Sequence, residues 1–186
     1  MVIITQHQTA IGDSSFVGGG NGNVAIGDNS FVGGGDNNTS SCIYSTISGG
    51  YANNAYGYAS TISGGYRNSA SGRYSTISGG YRNTTNDCYV TIGGGCGNTA
   101  SAYYATIGGG ENSTITTNSD YSTIAGGEDH LIDGCDSTIG GGENNTIIAK
   151  YSTISGGYYN SALSDCATIS GGYGNFTGLN GIVVGY

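Results

Sequence analysis

Ser60-Thr61-Ile62-Ser63-Gly64-Gly65-Tyr66-Arg67-Asn68-Ser69-Ala70-Ser71-Gly72-Arg73-Tyr74 is followed at once by Ser75-Thr76-Ile77-Ser78-Gly79-Gly80. The second run restarts the first, fifteen residues on. Working outward, the apolar centre of the unit recurs at Val17, Val32, Ile47, Ile62, Ile77, Ile92, Ile107, Ile124, Ile139, Ile154, Ile169 and Val184. The step is 15 throughout, except 17 between Ile107 and Ile124. Internal repetition of this kind defines a stacked architecture before any other signal is weighed.

Other columns keep the same register. A Gly pair follows the centre in most units. Asn stands six residues after it, at Asn23, Asn38, Asn53, Asn68, Asn83, Asn98, Asn145, Asn160 and Asn175, interrupted by Ser113 and His130. Small or aliphatic residues stand eight after it, such as Ala25, Ala55, Ala70, Ile115 and Ile147. Thr precedes the centre nine times running, beginning at Thr46 and closing at Thr168; Phe16 and Phe31 replace it early and Val183 late.

Fifteen residues are too few for two helices and their turns. Thr-Ile favours strand and Gly-Gly breaks a helix. The unit therefore predicts two short strands and two corners, with the Gly pair at one corner and the Asn region at the other. The fold class is all-β: a parallel β-solenoid, or β-roll, of about twelve rungs spaced about 4.8 Å apart. One domain spans 1–186, with an N-terminal cap segment at 1–8, a two-residue insertion loop at 116–118 and a C-terminal rung at 180–186. The Ile column fills the interior against the Ala/Ile column, and the Asn column forms an amide ladder. Tyr44, Tyr74, Tyr89, Tyr104, Tyr121 and Tyr151 flank the Thr column, and Tyr51, Tyr66, Tyr81, Tyr158 and Tyr173 form a second aromatic row.

Composition narrows the function. Gly is 38 of 186 residues, about a fifth, against a usual roughly 7%. Net charge is −8, with Arg67, Arg73, Arg82 and Lys150 the only Arg and Lys residues. That excludes a nucleic-acid binder, and no apolar run is long enough for a membrane span. The opening Met1-Val2-Ile3-Ile4-Thr5 has no basic segment and too short an apolar stretch for a secretion signal. It leaves a chain that folds in the cytosol or a host cell, or a fragment, with the export route open. Cys42, Cys88, Cys96, Cys135 and Cys166 are odd in number and without CxxC spacing, which reads as free thiols. Asn37, Asn38, Asn83, Asn112, Asn144 and Asn175 begin sequons, a by-product of an Asn column beside Ser and Thr.

A rung that buries one Ile and one Ala has a thin interior. A partner surface is therefore expected, as a trimer or other lateral self-association. Both ends are apolar, Val2-Ile3-Ile4 and Ile182-Val183-Val184. Open parallel edges of that kind invite end-to-end stacking into a filament, or else they are caps.

No catalytic constellation appears. His130 occupies the Asn column and His7 the irregular start. No Ser sits in a nucleophile motif, and the glycine run 18–20 lacks the Lys and helix of a phosphate loop. Glu111, Glu128 and Glu143 share one column, close to Asp129, Asp133 and Asp136. Carboxylates on neighbouring rungs raise one another's pKa or recruit a cation, so a calcium patch stands beside a solvated acidic stripe. No other cofactor is expected.

The run Asn68-Ser69-Ala70-Ser71-Gly72-Arg73-Tyr74-Ser75-Thr76-Ile77-Ser78-Gly79-Gly80 resembles the YadA-like head repeats of trimeric autotransporter adhesins, which also occur in phage and giant-virus fibres. The shared pattern is an N-x-A-x-G half followed by an S-x-A-I-G-like half, over about residues 9–186. The resemblance implies a left-handed roll that trimerises and binds a host surface. It implies an extracellular appendage on a cell surface or virion, with a host glycan or protein as partner. This chain departs from the family's commonest unit in having fifteen residues and a Gly pair, where the family has fourteen and one Gly. The expected function is a self-assembling structural or adhesive fibre, not an enzyme. An ice-binding solenoid using the Thr ladder and a carbohydrate-degrading fibre using the Glu column are the alternatives.

Overall fold

The computed structural model describes residues 8–178 and the backbone of the strand Ile182–Val183. The protein is an all-β solenoid with no helix among these residues. Two parallel sheets of twelve strands run its length. One sheet begins with Thr9–Ala10 and Val24–Ala25, the other with Phe16–Val17 and Phe31–Val32. Each strand is two residues long, and alternate strands along the chain enter opposite sheets. Like residues pair in register: Thr61 with Thr76, Ile62 with Ile77 and Ser69 with Thr84. Backbone bonds run from each rung to the next, as from Thr61 N–H to the Ser75 carbonyl at 2.9 Å.

The corners differ from the sequence expectation. The Gly pair and the Asn share one corner, residues 63–68, between strands Thr61–Ile62 and Ser69–Ala70. Asn is not the left-handed residue there; the one before it is, as with Arg67 at φ +56°. The opposite corner is the five residues 71–75, with Tyr74 in the left-handed region at φ +56°. The two glycines of a pair have separate jobs. A Cβ on Gly34 meets nothing nearer than 3.9 Å, whereas Gly35 sits at φ +89° and its Cβ would overlap the Gly50 carbonyl oxygen. At this pair only the second Gly is sterically compelled, whereas in units such as Gly64–Gly65 the first also takes a positive φ, +150°, that disfavours a side chain.

The interior holds more than the two columns expected. Ile62 and Ala70 are fully buried, and so are Asn68 and Ser60; Gly57 and Gly72 are buried between them. A typical rung thus encloses Asn, Ala or Ile, a small residue, Ser and Ile, with Val90, Ala105 and Ala167 standing in the Ser column. The polar members are bonded along the axis. Asn53 donates from Nδ2 to the carbonyls of Gly49 (3.1 Å) and Gly65 (2.9 Å) and to Asn38 Oδ1 (3.1 Å), while its backbone N–H also reaches Asn38 Oδ1 (3.0 Å). One amide thereby ties its own Gly corner to the rungs on both sides. Farther along, Ser122, Ser137 and Ser152 build a second ladder, each hydroxyl accepting the next rung's N–H at 3.1 Å.

The seventeen-residue unit keeps both sheets intact: Thr106 pairs with Thr123 and Thr114 with Leu131. The extra length enlarges one corner, where Ser119 N–H bonds the Thr116 carbonyl at 3.2 Å and Asn118 reaches Asp133 at 3.2 Å. The last rung departs from the expected register. Val183, not Val184, pairs with Ile169, and Ile182 falls opposite Thr168. That rung is fourteen residues long. Val2, Ile3, Ile4 and Val184 lie outside the described residues.

Two pairs of substitutions probe these contacts. Asn68→Ala leaves the Gly64 carbonyl and the Asn83 N–H without their partner, at about 1–3 kcal/mol for each buried group left unpaired, and takes one of two bonds from the Gly80 carbonyl, which keeps the Tyr66 N–H. Chemical denaturation should show a loss of several kcal/mol for Asn68→Ala and a smaller loss for Asn68→Ser, because Ser113 already serves in this column. Gly35→Ala should prevent folding or lower the melting temperature sharply, while Gly34→Ala should leave it nearly unchanged. Equal effects would show that the corner is not set by this steric contact.

Candidate functional site

The side chains available for recognition lie on the two corners and in the outward Thr column. At the Gly-pair corner, Tyr51, Tyr66 and Tyr81 stack face to face, with ring centroids 4.8 and 5.3 Å apart. The bridges between rungs align their backbones, so each ring lies over the next. Arg67 and Arg82 sit over the Tyr66 and Tyr81 rings at 5.2 and 5.0 Å, a cation–π arrangement that holds both guanidinium groups on the ridge.

Along the same column the aromatic row stops. Cys96, Glu111, Glu128 and Glu143 occupy the next four places before Tyr158 and Tyr173 resume the stack at 5.5 Å. Without ring bulk these rungs form an open groove of about 910 Å³, with Gly95, Gly110, Gly127, Gly142 and Gly157 among the residues lining it. Glu128 is held above the usual carboxylate range, first by the charge of Glu143, then by desolvation and by Asp129 and Glu111. The three Glu side chains are exposed. Among the described residues, no group of three or more His, Cys, Asp or Glu side chains gathers to hold a metal ion.

The opposite corner carries a longer aromatic chain. Tyr74, Tyr89, Tyr104 and Tyr121 stack at 5.0, 4.8 and 5.3 Å. Ala59 would leave a gap before them, but Tyr58 spans it, meeting Tyr44 and Tyr74 edge-on at 5.6 and 5.4 Å. Tyr103 packs edge-on to Tyr104 at 4.3 Å. Its hydroxyl is pushed up to about 12, chiefly by a hydrogen bond with Tyr104, then by desolvation and neighbouring phenols. Tyr58, Tyr103 and Tyr159 stand outside the two periodic Tyr rows, so the repeat gave no sign of them. Several rings of this row stand on left-handed backbone, a conformation bulky residues seldom adopt. Stacking with both neighbours offsets that cost. Tyr151 is separated from Tyr121 by Asp136 in the same column.

Of the remaining sequence candidates, the five Cys are free. Asn38 and Asn83 are fully buried in the ladder, so their sequons are closed in the folded chain. His130 is also buried, at 1% exposure. It replaces an Asn in the ladder: Asn145 donates its N–H to His130 Nδ1 at 3.1 Å. Nε2 is sealed in the interior without a properly aligned hydrogen-bond acceptor.

Residues 60–72 match the family model described as "Ubiquitous surface protein adhesin repeat". The chain thus carries an adhesin-type repeat, and the matched segment includes Tyr66 and Arg67 of the aromatic ridge. No curated protein matches the chain. No helix of the described residues is long and apolar enough to cross a membrane.

Burial lowers the His130 pKa, against weaker opposing effects of nearby carbonyls and Asp129. The unfolded chain therefore binds a proton near pH 6.5 that the folded chain refuses. Its contribution is present above that pH and is lost as pH falls. Glu128 has the opposite sign: its raised pKa favours the folded chain at low pH, and that advantage disappears as pH rises. Thermal melts from pH 7.5 to 5.5 should show a decline in wild type that His130→Asn removes. An unchanged decline in His130→Asn would place the titration elsewhere.

Proposed function

We propose that the protein is a structural or adhesive fibre subunit that self-associates and is displayed on a cell surface or virion. The observation that carries the reading is the pair of aromatic ladders fixed at rung spacing along both corners of one rod. Repeated, equally spaced rings on a stiff backbone suit weak contacts that add along a length. They can stack on the apolar faces of sugars or on partner chains. The solenoid and its adhesin-type repeat fit a surface fibre or adhesin. Host glycan or protein is the proposed ligand, and a lateral trimer or an end-to-end filament the proposed assembly.

Microscopy of the purified protein should show rods that associate side by side or end to end. A glycan array and a cell-binding assay should show adhesion that drops at least about tenfold in Tyr89→Ala, as expected where an aromatic anchor is lost, with the fold intact by circular dichroism. Dispersed single rods with no adhesion would overturn the reading. A second reading rests on the Thr column of the sheet begun by Phe16–Val17, in register from Thr46 to Thr168. A regular hydroxyl array of this kind suits an ice lattice, and thermal hysteresis in dilute solution is its test.

A further inference from the structure

The Gly-pair corner has a hidden symmetry. Its outward column runs Asn21, Asp36, Tyr51, Tyr66, Tyr81, Cys96, Glu111, Glu128, Glu143, Tyr158, Tyr173, one residue per rung. Cys96 is its midpoint. Three rungs of Tyr ridge lie on one side and three rungs of Glu groove on the other. The neighbouring column obeys the same midpoint: Arg67 and Asp129 each lie two rungs from Gly97. All three Arg of the chain lie before this midpoint and all three Glu after it.

We infer that this corner pairs with the same corner of a second copy, antiparallel, about a two-fold axis through the Cys96 rung. The axis runs across the corner, so each column meets itself in reverse. Tyr81 then faces Glu111 of the second copy, Tyr66 faces Glu128, and Tyr51 faces Glu143. Arg67 faces Asp129. Each ridge enters the other copy's groove, and a two-fold contact repeats every pair twice. The Tyr hydroxyls donate to carboxylates, and the arginines bring positive charge to an acidic groove that has none of its own. A parallel arrangement would instead set Glu against Glu and Arg against Arg. Charge complementarity therefore selects the orientation. The facing strip is about 29 Å long at about 4.8 Å per rung. It is too narrow for the roughly 1,200 Å² of a stable complex. The pairing is weak and salt-sensitive alone, and it strengthens where rods lie side by side.

This deepens the fibre reading and rests on it only for self-association. It names the partner and the orientation for side-by-side packing of rods, a two-fold contact distinct from the three-fold contact of a trimer. The experiment uses the full chain with all but one Cys replaced by Ser, under mild oxidation. Cys96 alone should form dimers on the order of tenfold faster than Cys166 alone, because pairing raises the local thiol concentration. That order should hold although Cys166 is the more exposed thiol. Next, all five native Cys are replaced and single Cys residues are introduced as Tyr66→Cys or Glu128→Cys. Each protein alone should cross-link poorly, the mixture should cross-link well, and 1 M NaCl should suppress the reaction. Self-linking of Tyr66→Cys would mean parallel packing and overturn the proposal. So would a Cys96 rate no faster than that of Cys166, a measurement made without altering any Tyr, Arg or Glu. Failure of adhesion with cross-linking intact would sink the host-binding reading alone.

Discussion

A buried primary amide has two donors and one acceptor oxygen to satisfy, and in this fold one such amide per rung decides what its surroundings become. Asn68 Nδ2 reaches the Gly64 carbonyl on its own rung and the Gly80 carbonyl on the next, while its Oδ1 accepts the Asn83 N–H. Those bonds are available only if the corner glycines turn their carbonyls inward. That in turn demands the φ near +90° that excludes every side chain from the second Gly. The strands follow from the corners. Two residues suffice because the corners, not the strands, hold the rungs in register.

The same constraint explains which exceptions the column tolerates. Ser113 accepts the N–H of His130 at 3.3 Å, and His130 accepts that of Asn145 at 3.1 Å. Both preserve the bond along the axis and give up the bonds to the Gly corner. They occur on consecutive rungs, next to the enlarged corner at Thr116 and Ser119. Departures from the Asn column are gathered there instead of scattered.

Much of the rod was legible because a fixed period exposes any residue type that recurs in it. Spacing alone placed Ile62 inside, where it is fully buried, and Thr61 on the outer face. Gly57 was missed as an interior residue because a side chain that small carries no burial signal until its partners are known. Asn was placed at the wrong corner because it commonly takes left-handed backbone, and here its amide is needed inside. The last rung slipped by one because Val183 and Val184 satisfy the apolar column equally well in sequence. The groove was legible only as three aligned Glu. It is made by absent rings, and a column of letters does not display missing bulk.

The short corners and two-residue strands also determine how such a rod bears load. A rung contributes about 4.8 Å to the folded length, yet its fifteen residues extend to about 50 Å when pulled straight. Tension applied at the ends would peel the outermost rung first, since it alone has a neighbour on one side only. Each release lengthens the tether roughly tenfold for that segment and presents an almost identical rung to the force. The molecule yields in small, nearly equal steps, so a fibre made of it would pay out slack gradually under shear and keep the rest of its length folded.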